Sequence, residues 1–189
     1  MVTVGIDEVG RGCWAGPLVA GAVVLREPIA GLKDSKKLTK LQRENLAAEI
    51  QVQALAVGMG WVEASELDAI GLSAAVGLAM QRALEQITVE FEEIIVDGNV
   101  NYFPNDLRAK AIIKADDSVP VVSAASIVAK VARDSYMAHV AHRKYPEYAF
   151  DQHVGYGTSL HQQMLQLYGI SNLHRKSFRP IQAILAASA

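Results

Sequence analysis

Three short apolar runs of this chain each lead into an aspartate, and that pattern constrains the fold more than any other feature. Val2 to Asp7, Glu93 to Asp97 and Ala109 to Lys114 read as strands, the last running into Ala115-Asp116-Asp117. Leu18 to Leu25 and Ala54 to Val62 complete a set of five. Segments of helical period lie between them. Asp34 or Ser35 is placed to cap a helix carrying Leu38, Leu41, Leu46 and Ile50 on roughly one face. Leu72, Val76, Met80, Leu84 and Ile87 predict a helix over 72–87. Pro120 suits the first turn of a long helix reaching about His142. Thr158 to Tyr168 predicts another, ending at Gly169, and Pro180 to Ala187 a last short one. Strands mixed with helices in this way imply an α/β fold with helices on a central sheet.

The 189 residues, 51% of them hydrophobic, suit one domain over 1–189. No repeat, low-complexity stretch or Gly/Pro/Ser-rich linker divides them. The single cysteine, Cys13, excludes an internal disulfide framework and a cysteine zinc cluster, and fits a reducing compartment. No apolar run approaches the roughly 18 residues of a membrane span. Asp7, Glu8 and Arg11 interrupt any apolar signal segment. A cytoplasmic monomer without a membrane partner is expected. The net charge of −2 does not point to nucleic acid, but charge is unevenly spread. Glu63 to Asp97 holds eight acids and only Arg82 as a cation. Lys33, Lys36, Lys37, Lys40 and Arg43 form one basic cluster, and a second follows His139, with Arg143, Lys144, Arg175, Lys176 and Arg179.

Asp7, Asp97 and Asp116 fall at strand ends, with Glu8 beside the first. Ligands of α/β sheets gather outside strand ends, so these four acids are candidates for one site. Carboxylates a few ångströms apart resist joint ionisation, and a divalent cation removes the conflict. Ligands that are all oxygen favour Mg²⁺ or Mn²⁺ over zinc. Mg²⁺ leaves coordination positions for water and phosphate, which suggests phosphoryl chemistry. Aspartates after strands also serve as turn formers and helix caps. Consecutive strand residues point to opposite faces. Asp7 and Glu8 therefore share a metal site only if Glu8 lies past the regular strand or the ions sit at the sheet rim.

Asp7-Glu8-Val9-Gly10-Arg11-Gly12, followed by Ala15-Gly16-Pro17, resembles the opening motif of ribonuclease HII, a type 2 ribonuclease H. Asp34-Ser35-Lys36-Lys37-Leu38 resembles that family's second motif and Asp97-Gly98-Asn99 its third. Lys114-Ala115-Asp116 with Ser123 to Asp134, then His153-Val154-Gly155-Tyr156-Gly157-Thr158, then His174-Arg175-Lys176-Ser177-Phe178, complete six motifs in order. Departures are Ala115 where many members have Gly, the doubled Asp116-Asp117, Cys13-Trp14, and Lys176 where Arg is common. None removes a candidate carboxylate. With the signature Gly5-Ile6-Asp7 to Gly12 starting at residue 5, the extra N-terminal domain of ribonuclease HIII is not expected.

The resemblance implies a ribonuclease H-like fold: a five-stranded mixed sheet flanked by helices, with a helical C-terminal extension from about 145 to 189. It implies two divalent ions on Asp7, Glu8, Asp97 and Asp116, acting on RNA–DNA hybrids and on duplex DNA containing ribonucleotides. Gly10, Arg11 and Gly12 would read the ribose, since glycines admit close approach to a ligand. Tyr156 would pack on the deoxyribose after a ribonucleotide. Lys36 and Lys37 would hold phosphates, with Arg11, Arg175 and Lys176 as further candidates. His153 and His174 would assist binding or make structural hydrogen bonds. Asp134 suits a supporting role, or an ion pair with Lys130 four residues earlier. Rival readings are another nuclease or recombinase of the ribonuclease H superfamily, a non-catalytic hybrid-binding module, and a small-molecule phosphatase. The last leaves the paired lysines and the basic C-terminal region unexplained.

Overall fold

A computed structural model describes residues 2–33 and 35–187. Five strands form one sheet: β1 (Thr3–Val9), β2 (Leu18–Leu25), β3 (Ala54–Val62), β4 (Glu93–Asp97) and β5 (Ala109–Ile112), in the order β3-β2-β1-β4-β5. β1 pairs antiparallel with β2 and parallel with β4, and β4 pairs parallel with β5, so the sheet is mixed as expected. All of β2 except Leu25 is buried, which explains its unbroken apolar run.

The helices are α1 (Lys40–Gln53), α2 (Ala64–Ile70), α3 (Leu72–Leu84), α4 (Ala115–Ser118), α5 (Pro120–Ser135), α6 (His142–Lys144), α7 (Phe150–His153), α8 (Ser159–Tyr168) and α9 (Arg179–Ala187). A π-helical turn, Tyr136–Ala141, joins α5 to α6. α1 starts later than expected. Asp34 lies outside the described residues, and Ser35–Lys37 forms a short 3₁₀ turn. The cap is Thr39, whose hydroxyl accepts from the Gln42 N–H while the Gln42 side chain accepts from the Thr39 N–H. From that start Ala47 and Ile50 face the core, whereas Leu41 is 66% exposed. Leu41 lies five residues before Leu46, about 140° around the helix.

The described residues form two compact units. The first takes in 1–9, 19–61 and 76–131 and contains most of the sheet. Here α5 lies directly on the strands: a Cβ at Gly5 would strike the Val121–Val122 backbone, and one at Gly21 the Ala125 carbonyl. The second takes in 10–18, 62–75 and 132–189. The expected C-terminal extension thus belongs to a larger unit that includes the segment linking β1 to β2. Its core gathers Ala15, Met137, Tyr148, Phe150, Leu165 and Ile181. Among the described residues no helix is long and apolar enough to cross a membrane.

Candidate active site

The acids belong to the first unit. β1 and β4 run parallel with Ile6 opposite Val96, so one further step along each brings Asp7 level with Asp97. Asp7 is only 6% exposed. Burial, reinforced by the neighbouring Glu8 and Asp97 carboxylates, holds its carboxyl well above the ordinary aspartate range. Hydrogen bonds from the Ser126 side chain and the Glu8 N–H (2.8 Å) oppose this without cancelling it. Asp116 is also buried, in the first turn of α4, and its N–H donates to Asp97 Oδ1 (3.3 Å). Ser123 secures that turn by donating to the Asp116 carbonyl (2.7 Å). Asp117 faces solvent and pairs with Lys37 (2.6 Å).

Glu8 is not past the strand. β1 continues to Val9, with Glu8 opposite Ala20, which removes the first of the two ways for Asp7 and Glu8 to share ions. Joint use therefore requires ions at the sheet rim. The donor set fits a hard divalent cation, being entirely carboxylate, and a cation would relieve the crowding at Asp7. Among the described residues, no three His, Cys, Asp or Glu side chains already stand as a coordination cage.

The basic 35–37 turn adjoins these acids. Lys36 Nζ lies 3.6 Å from Asp116 Oδ2 while its side chain remains 80% exposed. Ser35 is buried and shares a hydrogen bond with Ser126 (3.0 Å). Ser126, within the Ser123 to Asp134 motif, is thus a supporting residue that residue type alone does not mark.

The second unit holds the 10–12 loop and Tyr156. Two buried arginines organise it. Arg133 donates to the carbonyls of Pro17 (2.8 Å), Val154 (2.9 Å) and Ala15 (3.0 Å). Arg175, a phosphate candidate by sequence, is fully buried instead and donates to the carbonyls of Gly10 (2.6 Å), Arg11 (3.2 Å) and Gly16 (3.1 and 3.0 Å). Burial lowers its pKa to about 10. Gly10 has φ +93°, and a Cβ there would strike the Arg133 side chain. Gly12 differs: it is exposed, and a Cβ would meet nothing within 4 Å.

Tyr156 is 36% exposed, with the Arg133 guanidinium 5.9 Å from its ring centre, and burial pushes its hydroxyl up to about 12. His153 is buried and bonds the Tyr148 carbonyl (2.8 Å). His174 is buried too. Lys176 is exposed, and its N–H is held by Asp68 (2.7 Å). Asp134 lies 4.0 Å from Arg133. Sequence reasoning missed the interior role of Arg133. Its available signal was position: it lies four residues after Ala129 on the buried stripe of α5.

The family model for ribonuclease HII matches residues 4–181. A ribonuclease HII of Janthinobacterium sp. (strain Marseille) is 46% identical over 183 residues, covering 96% of this chain and 86% of the relative. The crystal structure of ribonuclease H2 from Pyrococcus horikoshii OT3 superposes with TM-score 0.83 at 27% identity, covering 99% of this chain and 98% of that one. The ribonuclease HII of Archaeoglobus fulgidus, solved in complex with PCNA, gives TM-score 0.77 at 28% identity over 95% of this chain and 96% of that one.

Proposed function

The chain belongs to the ribonuclease HII family, hydrolases of the RNA strand in RNA–DNA hybrids, and on that premise we propose that Asp7, Glu8, Asp97 and Asp116 hold two divalent ions, Mg²⁺ or Mn²⁺. Such ions, when bound, supply an activated water and neutralise charge developing on the phosphate and the leaving 3′ oxygen. The observation that carries this reading is Asp7: a buried carboxyl with acids for neighbours, in a chain of the family. Asp116 rather than Asp117 is the ligand, because Asp116 is buried and tied to Asp97 while Asp117 is exposed on Lys37.

Lys36 and Lys37 bind substrate phosphates, exchanging their present carboxylate partners for the nucleic-acid backbone. Arg11 and Lys176 contribute more weakly at exposed positions. The 10–12 loop reads the ribose. Gly12 supports this, since nothing in the protein's own packing forbids a side chain there. A glycine in open space suits the approach of a 2′-hydroxyl to its peptide groups. Tyr156 packs on the deoxyribose following a ribonucleotide, which directs incision to the 5′ side of a single embedded ribonucleotide. That chemistry leaves 3′-hydroxyl and 5′-phosphate ends and serves ribonucleotide removal in replication and repair. Asp134 supports the site indirectly.

The test is cleavage of a duplex carrying one ribonucleotide, with Mg²⁺ and with Mn²⁺, mapped at nucleotide resolution. A single cut 5′ of the ribonucleotide, with an all-DNA duplex left intact, is expected. Cleavage of the all-DNA duplex, or a cut 3′ of the ribonucleotide, overturns it.

A further inference from the structure

His153, His161 and His174 lie together in the interior of the second unit, 5%, 0% and 1% exposed. The His153 and His161 rings stack with centres 4.3 Å apart, and His161 Nε2 meets His174 Nε2 at 3.0 Å. The two ends of this pair are backbone groups of fixed polarity. The Ser171 N–H donates to His174 Nδ1 (2.8 Å), so the His174 proton must sit on Nε2. That proton is donated to His161 Nε2, which leaves the His161 proton on Nδ1. From there it is donated to the Tyr156 carbonyl (3.0 Å).

The geometry points to a one-way, uncharged hydrogen-bond relay, Ser171 N–H to His174 to His161 to the Tyr156 carbonyl, that positions Tyr156. The rest of the Tyr156 main chain is held by the same region. Its N–H donates to the His153 carbonyl (2.9 Å), and its carbonyl also accepts from the Thr158 N–H (2.8 Å). Gly155 donates to His153 Nδ1 (3.2 Å). Gly157 leaves space for the Trp14 ring, which a Cβ there would strike. The tyrosine's backbone is thus fixed from within while its ring remains part-exposed. His161 and His174 are positioning residues for the ring's recognition of an RNA–DNA junction, a role that rests on the reading of Tyr156 above.

Two substitutions separate the relay from simple packing. The amide nitrogen of His161→Asn stands close to Nδ1 and retains the donor to Tyr156. His161→Gln places its amide near Nε2 and loses that donor. The quantity read is the ratio of cleavage on a single-ribonucleotide duplex to cleavage on a continuous hybrid, with Tyr156→Ala as reference and melting temperature as the folding control. His161→Gln is expected to lower the ratio roughly tenfold, the cost of one buried hydrogen bond, while His161→Asn stays near wild type. An unchanged ratio in folded His161→Gln, with Tyr156→Ala losing it, overturns the relay. An unchanged ratio in Tyr156→Ala overturns the junction reading itself, and with it the relay's role in specificity. Imidazole ¹⁵N spectra of the wild-type protein test the relay whether or not the variants fold. His161 should carry its proton on Nδ1 and His174 on Nε2; the opposite tautomer at either ring overturns the proposal.

Discussion

The two units bury charge in opposite ways. In the first, Asp7 is buried beside other acids, and its carboxyl is held well above the ordinary range. In the second, Arg133 and Arg175 are buried, yet their guanidinium groups are directed onto backbone carbonyls of 10–17 and 154. A buried charge whose hydrogen bonds are met within the protein is structural: it ties chain segments together. A buried charge that its surroundings oppose awaits a ligand. The same burial therefore builds a scaffold in one unit and supports the proposed reaction centre in the other.

The largest effect that tests this contrast is Asp7→Asn. It should abolish cleavage at saturating Mg²⁺ while leaving the metal-free protein at least as stable as wild type, because the amide carries no buried charge. Near-normal turnover, or a fall of many degrees in melting temperature, breaks the contrast. Arg175→Met should do the reverse. It removes the guanidinium donor from the carbonyls of Gly10, Arg11 and Gly16, of which Gly10 keeps the Cys13 N–H (3.3 Å), and should cost about 3 kcal/mol in chemical denaturation. A loss below about 0.5 kcal/mol would show that those carbonyls find other partners.

The glycines of the 10–12 loop divide in the same way within one segment. Gly10→Ala should destabilise through its positive φ and its collision with Arg133. Gly12→Ala should leave stability within about 0.5 kcal/mol of wild type, since a Cβ there meets nothing, yet lower cleavage if the loop reads the ribose as proposed. Full activity in folded Gly12→Ala would remove the loop from ribose reading.

The histidines of the second unit add a dependence on pH. Burial lowers His161 to about 4 and His174 to about 3, from an ordinary 6.5. The unfolded chain then binds more protons than the folded one below pH 6.5, so the histidines' contribution is intact above that value. It is lost progressively as pH falls through about 4 toward about 3. Thermal melts across pH 7 to 4 should show this decline, and replacing His161 and His174 together with Gln should make it shallower, with His153, also lowered by burial, keeping its share. An unaltered slope would place the titration elsewhere.

Local patterning made much of the fold legible. β2, β3 and β4 have the bounds that apolar runs and turn residues predict, and α8 is capped by Thr158 and ended by Gly169. The start of α1 was not: Ser35 and Thr39 both offer hydroxyls, and only the reciprocal Gln42 bond selects Thr39. α2 carries too few turns for a helical period to stand out.

For the candidate site, sequence alone determined the acids at strand ends, since residue type and strand termination are local properties. It also determined the ordered motifs that identify the family. Tertiary structure decided that Glu8 stays within β1, that Asp116 is buried while Asp117 is not, and that Arg175 is interior. It also decided that three histidines meet around the Tyr156 backbone. The physical reason is that a charged or titratable side chain defaults to the surface, and it is kept inside only where the fold brings hydrogen-bond partners to it. Arg175 is held by carbonyls more than 150 residues distant in sequence, a condition that no local pattern expresses.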